Sequence, residues 1–299
     1  MVNYSKPKYA LISGGAGGIG VQLCISFAKR GYTVFAFAPE SHLFEIKAIQ
    51  KQYSNIIPYG FDITDVDQIE KSRQFIIEQT NGGYLDILYN NAGISVASPA
   101  TEFDNQELIK VFQVNVFGHM YMTKYMSEFV IKSKGSIIFT SSVAAKVPLT
   151  WVSLYNATKA AIDAYALNLH TEMKPFGVRV HSVITGGVNT GICDANMKTA
   201  MALDSQFDVE GIYASMNASA MMSRNTNISP EKYAESVVKD IISRRDRFNL
   251  YKGARAYLLY FVGKFFPVWL TEYFISRFFK ALPVWKNIRA RVAQESKNK

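Results

Sequence analysis

The run Ser13-Gly14-Gly15-Ala16-Gly17-Gly18-Ile19-Gly20 constrains this chain more than any other feature. It follows a short apolar stretch, Tyr9–Ser13, and precedes Val21–Arg30, where Leu23, Phe27 and Ala28 share one helical face. A strand, a glycine turn and a helix in that order open a βαβ unit. Gly14 permits the tight turn, Gly18 lets the backbone approach a pyrophosphate, and Gly20 lets helix and strand pack closely. The free N–H groups and dipole at the helix start then attract phosphate charge.

The alternation continues along the chain. Further strands are expected over Thr33–Ala38, Ile56–Phe61, Leu85–Tyr89, Ser136–Thr140, Val178–Ile184 and Phe248–Tyr251, with helical patterns over 41–52, 66–80, 105–133, 153–175 and 230–244. This order predicts an α/β fold with a doubly wound parallel sheet and ligands at the carboxyl ends of its strands. One segment breaks the rhythm. Gly191–Ser229 is rich in Met, Ala and Asn, and reads as a lid over the site or as a surface helical insertion. Its Met197, Met201, Met216, Met221 and Met222 would line an apolar pocket or fill the core.

Composition narrows the class. Of 299 residues, 48% are hydrophobic and 19% charged, which excludes wholesale disorder. Two cysteines, Cys24 and Cys193, cannot build a disulfide framework. His42, His119, His170 and His181 show no metal-ligand spacing with them, so no metal is expected. The amino terminus lacks the apolar core of a secretory signal, and a soluble body facing the cytosol is expected. The net charge is +9, and residues 251–299 hold ten Lys/Arg against two acids, which is +8 of it. A near-neutral body with a basic, aromatic end points to an anionic surface; the apolar stretch within it favours a membrane over nucleic acid.

The chemistry-bearing pair is Tyr155-Asn156-Ala157-Thr158-Lys159 at the start of a helix. Positions i and i+4 share a face, so phenol and ammonium can share a site. Bringing a phenol from about pH 10 to near neutrality needs about 4 kcal/mol, within reach of one partly desolvated cation. Ser142 ends a strand 13 residues earlier; Asn90-Asn91-Ala92-Gly93, Val114-Asn115-Val116-Phe117-Gly118, Asp62 and Thr185-Gly186-Gly187-Val188-Asn189-Thr190 follow other strands or lie on a helix.

Together these motifs, over residues 8–190, resemble the short-chain dehydrogenase/reductase family. The resemblance implies a Rossmann fold and hydride transfer between NAD(P)H and a carbonyl. It assigns catalytic roles to Tyr155 as general acid, Ser142 as donor to the substrate oxygen, Lys159 as partner of Tyr155 and of the nicotinamide ribose, and Asn115 as support of a proton-relay water. It assigns cofactor contacts to Ser13, Gly14, Gly18, Ile19, Gly20, Asp62, Asn91, Ala92, Gly93, Tyr155, Lys159, Val188 and Thr190. Thr185 departs from the family's usual proline. At the end of the second strand, Ala38 replaces the acid of NAD-preferring members, and Pro39-Glu40 stands where an NADP arginine is usual. The resemblance favours NADPH; Glu40 leaves NADH open.

More particular stretches, among them Leu88–Gly93, Ser127–Lys134 and Leu169–Phe176, resemble the fungal NADPH-dependent reductases of 1-acyldihydroxyacetone phosphate. Steroid and retinol dehydrogenases remain the alternative, and a nucleotide-sensing membrane adaptor without catalysis is the reading from another class. Lys146, Lys198 and Arg224 are candidates for a phosphate head group. Gly14-Gly15-Ala16-Gly17-Gly18 lacks the serine of a lipase elbow, so no hydrolase activity is expected there.

The end of the chain, 253–299, is read as an extension to a catalytic domain over 1–252. Tyr257–Phe279 carries ten aromatics, interrupted by Lys264, Pro267 and Glu272. A mid-membrane lysine costs about 2.5–3.5 kcal/mol, so two amphipathic helices broken at Pro267 and lying in the interface are expected. Such an extension would dock the enzyme on the cytosolic face of the endoplasmic reticulum or on a lipid droplet. Packing on the body or a homodimer contact are the other uses of the same aromatics.

Overall fold

The computed structural model describes residues 6–80, 82–192, 205–224, 226–243 and 245–297. Cys193, Met197, Lys198 and Met201 lie outside the described residues. In chain order the elements are β1 (Lys8–Ser13), α1 (Gly18–Ala28), β2 (Tyr32–Ala38), α2 (Leu43–Gln50), β3 (Ile56–Gly60), α3 (Val66–Thr80), β4 (Ile87–Asn90) and α4 (Asn105–Phe112). They continue with α5 (Gly118–Ser133), β5 (Ser136–Ser142), α6 (Ser153–Met173), β6 (Arg179–Thr185), α7 (Ile212–Ala220), α8 (Pro230–Ile241), β7 (Asn249–Lys252), α9 (Ala256–Phe265), α10 (Val268–Phe278) and α11 (Ala281–Lys297).

The seven strands form one parallel sheet in the order β3-β2-β1-β4-β5-β6-β7. The order reverses between β1 and β4, and there the carboxyl ends of the strands open a crevice. Strand β2 shows how sequence fills two faces. Val34, Ala36 and Ala38 pack with Leu23, Phe27, Ile46 and Val237 from α1, α2 and α8. Phe35 and Phe37 point the other way, among Ile69, Met126, Phe129 and Ile162 from α3, α5 and α6. Both faces are covered, which is why the strands read as apolar runs without alternation.

One departure from the sequence reading stands out. The helix expected over 105–133 is α4 and α5 joined by a π turn over Gln113–Phe117, where the Gly118 N–H reaches back to the Gln113 carbonyl. The segment expected as a lid or a surface insertion contains α7, and of its methionines Met216 fills the core with Ile212, Trp151 and Val284.

The end of the chain folds as two helices broken before Pro267, and then a third, α11, that the sequence reading did not anticipate. Phe279, Ala281 and Val284 are wholly buried. The Trp151 indole donates to Ser215 Oγ at 2.8 Å, and Ser215 donates to the Phe279 carbonyl at 2.6 Å. On α9, a Cβ at Gly263 would overlap the Lys146 carbonyl oxygen, so only glycine allows this approach. Among the described residues, no helix is long and apolar enough to cross a membrane.

Candidate active site

The crevice at the β1/β4 reversal is a cleft of about 480 Å³. One wall is the glycine turn. Gly14 adopts φ +64°, and a Cβ there would stand 2.7 Å from the Ala92 Cα; a Cβ at Gly20 would overlap the Gly14 carbonyl oxygen. Side chains are thus excluded at Gly14 and Gly20, beside the start of α1, whose first N–H groups have no helical partner. Hydrogen bonds tie this turn to the next strand ends. Ser13 Oγ accepts from Asn91 N at 3.1 Å, Asn91 Nδ2 donates to the Gly14 carbonyl at 3.0 Å, and Thr140 Oγ1 donates to Asn91 Oδ1 at 3.0 Å. The ends of β1, β4 and β5 are locked into one rigid floor. A glycine-rich cradle at the start of a helix, with N–H groups at Gly18, Ile19 and Gly20 that have no helical partner, fits a dinucleotide.

The opposite end holds the catalytic candidates. Ser142 ends β5, and its Oγ accepts from Ala144 N at 3.1 Å. Tyr155 and Lys159 sit one turn apart on α6, with the Lys159 Nζ 5.5 Å from the Tyr155 ring centroid. Lys159 is only 2% exposed and donates to the Thr140 carbonyl at 2.8 Å. Burial pushes its ammonium down to about 8. The cation therefore survives at neutral pH, close to the point of losing its proton.

Asn115 lies behind the cleft in the π turn. Its Oδ1 accepts from Ile94 N at 2.9 Å, and its Nδ2 donates to the Ile94 carbonyl at 2.8 Å and to Thr158 Oγ1 at 3.0 Å. Widened turns of this kind recur at functional sites. Gly93 sits between the two groups: a Cβ there would be 3.5 Å from Asn115 Oδ1 and 3.7 Å from Lys159 Nζ. His119, pushed down to about 3 mainly by burial, is neutral; its Nε2–H donates to the Ala92 carbonyl at 2.8 Å.

The structure brings Gly14, Gly18, Ile19, Gly20, Asn91, Ala92, Gly93, Ser142, Tyr155, Lys159, Val188 and Thr190 onto one cleft. Ser13 lies beneath it, fully buried. Asp62 is exposed and outside the lining, with its Oδ1 accepting from the backbone N–H and hydroxyl of Thr64, both at 2.8 Å. Lys146 does not line the cleft either. It pairs with Asp163 at 2.6 Å, whose other oxygen accepts from Ser182 Oγ at 2.5 Å. Arg224 is exposed beyond α7 and outside the lining. Of the lid methionines, Met222 lines the cleft. Thr185, in place of the family's proline, shares a 2.6 Å hydrogen bond with the buried Tyr233 hydroxyl, which gives the departure a structural purpose.

Sequence reasoning missed Thr140, Thr158, His42 and Glu45. The first two act through atoms any residue or many residues could supply. Glu45 sits on α2, and its Oε2 accepts from the Gly17 N–H at 2.9 Å. Nothing local marks a contact across 28 positions.

The family described as short chain dehydrogenase matches residues 8–201. The chain is 41% identical over 278 residues to the NADPH-dependent 1-acyldihydroxyacetone phosphate reductase of Saccharomyces cerevisiae, covering 92% of this chain and 93% of that protein. It is 31% identical to the Schizosaccharomyces pombe protein of the same name, covering 82% of each. Among solved structures, a short-chain dehydrogenase from Streptomyces avermitilis shares the fold with a TM-score of 0.75 at 22% identity, over 85% of this chain and 92% of that one. With the motif spacing, the parallel sheet and the Ser142–Tyr155–Lys159 cleft all in agreement, the chain is an oxidoreductase that belongs to the short-chain dehydrogenase/reductase family.

Proposed function

We propose that the protein reduces the ketone of a lipid, and that its substrate is 1-acyldihydroxyacetone phosphate, converted to 1-acylglycerol 3-phosphate. The observation that carries this reading is the Ser142–Tyr155–Lys159 set across one cleft from the glycine cradle, in a chain so similar over its length to a reductase named for that substrate. When bound, a reduced nicotinamide dinucleotide supplies the hydride that reaches the carbonyl carbon; the relatives' names point to NADPH. Tyr155 gives its phenolic proton to the alkoxide that forms, completing the alcohol. Lys159 stabilises the phenolate left behind, from a buried position where its charge is weakly screened. Ser142 donates to the same substrate oxygen. Asn115 is a positioning residue: it holds the 91–94 loop to α6 through Ile94 and Thr158.

A steroid ketone or a retinoid aldehyde is the second reading. The pairing of Lys146 with Asp163 favours it, because that cation is already engaged, and Leu149, Val152 and Met222 offer an apolar wall. The test is oxidation of NADPH and NADH by the purified protein with 1-palmitoyl-dihydroxyacetone phosphate, a steroid ketone and retinal. Turnover of the acyl phosphate ketone that vanishes in Tyr155→Phe supports the first reading. Turnover of the steroid or retinal alone supports the second.

We also propose that α9 and α10 dock on a lipid surface, on the cytosolic face of the endoplasmic reticulum or on a lipid droplet. Leu258, Phe265, Val268, Trp269 and Phe274 are more than half exposed, with Arg255, Lys264, Arg277 and Lys280 among them. Aromatic and basic side chains together suit an anionic interface. The inner face of the same helices packs through Leu259, Tyr260 and Ile275 into the cluster that contains Tyr155, Leu149 and Val152. Flotation with anionic liposomes tests this. Trp269→Glu with Phe265→Glu should abolish co-flotation; unchanged flotation, or sedimentation as a dimer that the variants dissociate, assigns the surface to another use.

A further inference from the structure

The adenosine half of a dinucleotide lies over the end of β2, and the residues there choose between a ribose hydroxyl and a 2′-phosphate. In this chain β2 ends at Ala38 and is followed by Pro39, Glu40, Ser41 and His42, with α2 starting at Leu43. The Glu40 carboxylate rests against Gly60 at the end of β3. Glu45, in the first turn of α2, turns back to the glycine turn and accepts from the Gly17 N–H at 2.9 Å. Gly17 is the N-cap of α1 and has no side chain of its own to cap the helix. A carboxylate therefore already holds the positive end of α1, where an anion is favoured. Among the described residues that line the cleft, the basic side chains are His42 and Lys159. Lys159 is at the far end beside Tyr155, and His42 is exposed with its Nδ1 against Ser41 Oγ. Lys47 lies two positions after Glu45, on the other side of α2.

A 2′-phosphate brings up to about two negative charges and needs cations or donors to replace its water. Here the cleft offers it the Glu45 carboxylate and, at this end, no cation but the exposed His42. A free ribose hydroxyl, by contrast, is a donor and needs an acceptor. We propose that Glu45 is a specificity-determining residue: held on the Gly17 N–H, it accepts from the adenosine ribose and turns away a 2′-phosphate, so that this chain prefers NADH to NADPH. The inference rests on the reading of the cleft as a dinucleotide site and parts from the cofactor named for the relatives.

Isothermal titration of the full chain with ADP-ribose and with 2′-phospho-ADP-ribose separates the two, because neither ligand carries the nicotinamide. The wild type should bind ADP-ribose at least about tenfold tighter. Glu45→Gln keeps a hydrogen-bond acceptor but removes the charge; it should tighten 2′-phospho-ADP-ribose by about fivefold or more and leave ADP-ribose within about twofold. Tighter binding of the 2′-phospho ligand by the wild type overturns the inference while sparing the dinucleotide reading. Equal weakening of both ligands by Glu45→Gln, with an unchanged circular dichroism spectrum, makes Glu45 a helix cap only and also overturns it. Binding of neither ligand overturns the dinucleotide reading, and the inference with it.

Discussion

The glycine turn after β1 and the hairpin of α9 and α10 both depend on a backbone brought too close for any Cβ, yet they spend that closeness in opposite ways. At Gly14 the approach is to the neighbouring strand end at Ala92, at Gly20 it is between α1 and the turn before it, and both shape a cradle facing the cleft. At Gly263 the approach presses a helix onto the Lys146 carbonyl, and the hairpin's outer face is left large and apolar, with Val268 75% and Trp269 68% exposed. In the first region geometry dictates the residue and the chemistry follows. In the second, geometry fixes one face, and the other is shaped by whatever covers it.

The contrast can be broken by substitution. The largest effect belongs to the cleft. Tyr155→Phe should cut carbonyl reduction by about 10³-fold in steady-state assays while nucleotide binding holds within about threefold. A comparable loss from Trp269→Glu in detergent-free solution with a water-soluble ketone would erase the distinction between the two regions.

Next comes Lys159. Its charged form is disfavoured by burial, so the folded protein gives up this proton near pH 8 and the unfolded chain only near 10.5. Below pH 8 both states are charged and the fold carries the whole desolvation cost. Between pH 8 and 10.5 that cost fades, and this group's contribution to stability improves as pH rises. Lys159→Met should therefore raise stability by about 3 kcal/mol at pH 7, with the advantage shrinking toward zero at pH 10 in urea melts, and should abolish reduction. No stabilisation at pH 7 would mean the ammonium is better solvated than its burial indicates.

Smaller and equal effects are expected from Gly20→Ala and Gly263→Ala. Each puts a Cβ onto a carbonyl oxygen, and each should cost about 1–3 kcal/mol in thermal or urea unfolding. Only the first should also weaken nucleotide binding. The smallest effect is that of Trp269→Glu and Phe265→Glu on stability in solution, within about 0.5 kcal/mol. A larger loss would mean that these rings are covered by protein.

The difference between the two regions also explains what could be read from the residues. Gly14, Gly18 and Gly20 announce a turn because only glycine tolerates it, and Tyr155 with Lys159 announces a shared face because helical spacing is regular. The parallel sheet follows from apolar runs long enough to be buried on both sides. Contacts that cross the fold leave no such trace. Glu45 reaches Gly17, Lys146 reaches Asp163, and Thr185 reaches Tyr233, each through a side chain that is equally at home in solvent. The π turn was invisible for a different reason: nothing in Gln113–Phe117 marks a widened turn, and the Asn115 bonds to Ile94 and Thr158 that accompany it cross to distant positions. Helix α11 escaped notice because it opens with Ala-Leu-Pro, which reads as a break, and because Ala281 and Val284 find their burial against distant parts of the chain, Trp151 and α7.

That widened turn has a genetic consequence. A π turn is a helix with one residue too many for its climb. A chain one codon shorter between Gln113 and Phe117 could close into unbroken helix, with α4 and α5 each keeping its own neighbours. In most helices such a deletion rotates everything beyond it by about 100° and ruins the packing. Here the slack is already built in, and the deletion would take Asn115 out of its bonds to Ile94 and Thr158, making length rather than side-chain identity an economical way to uncouple the 91–94 loop from α6.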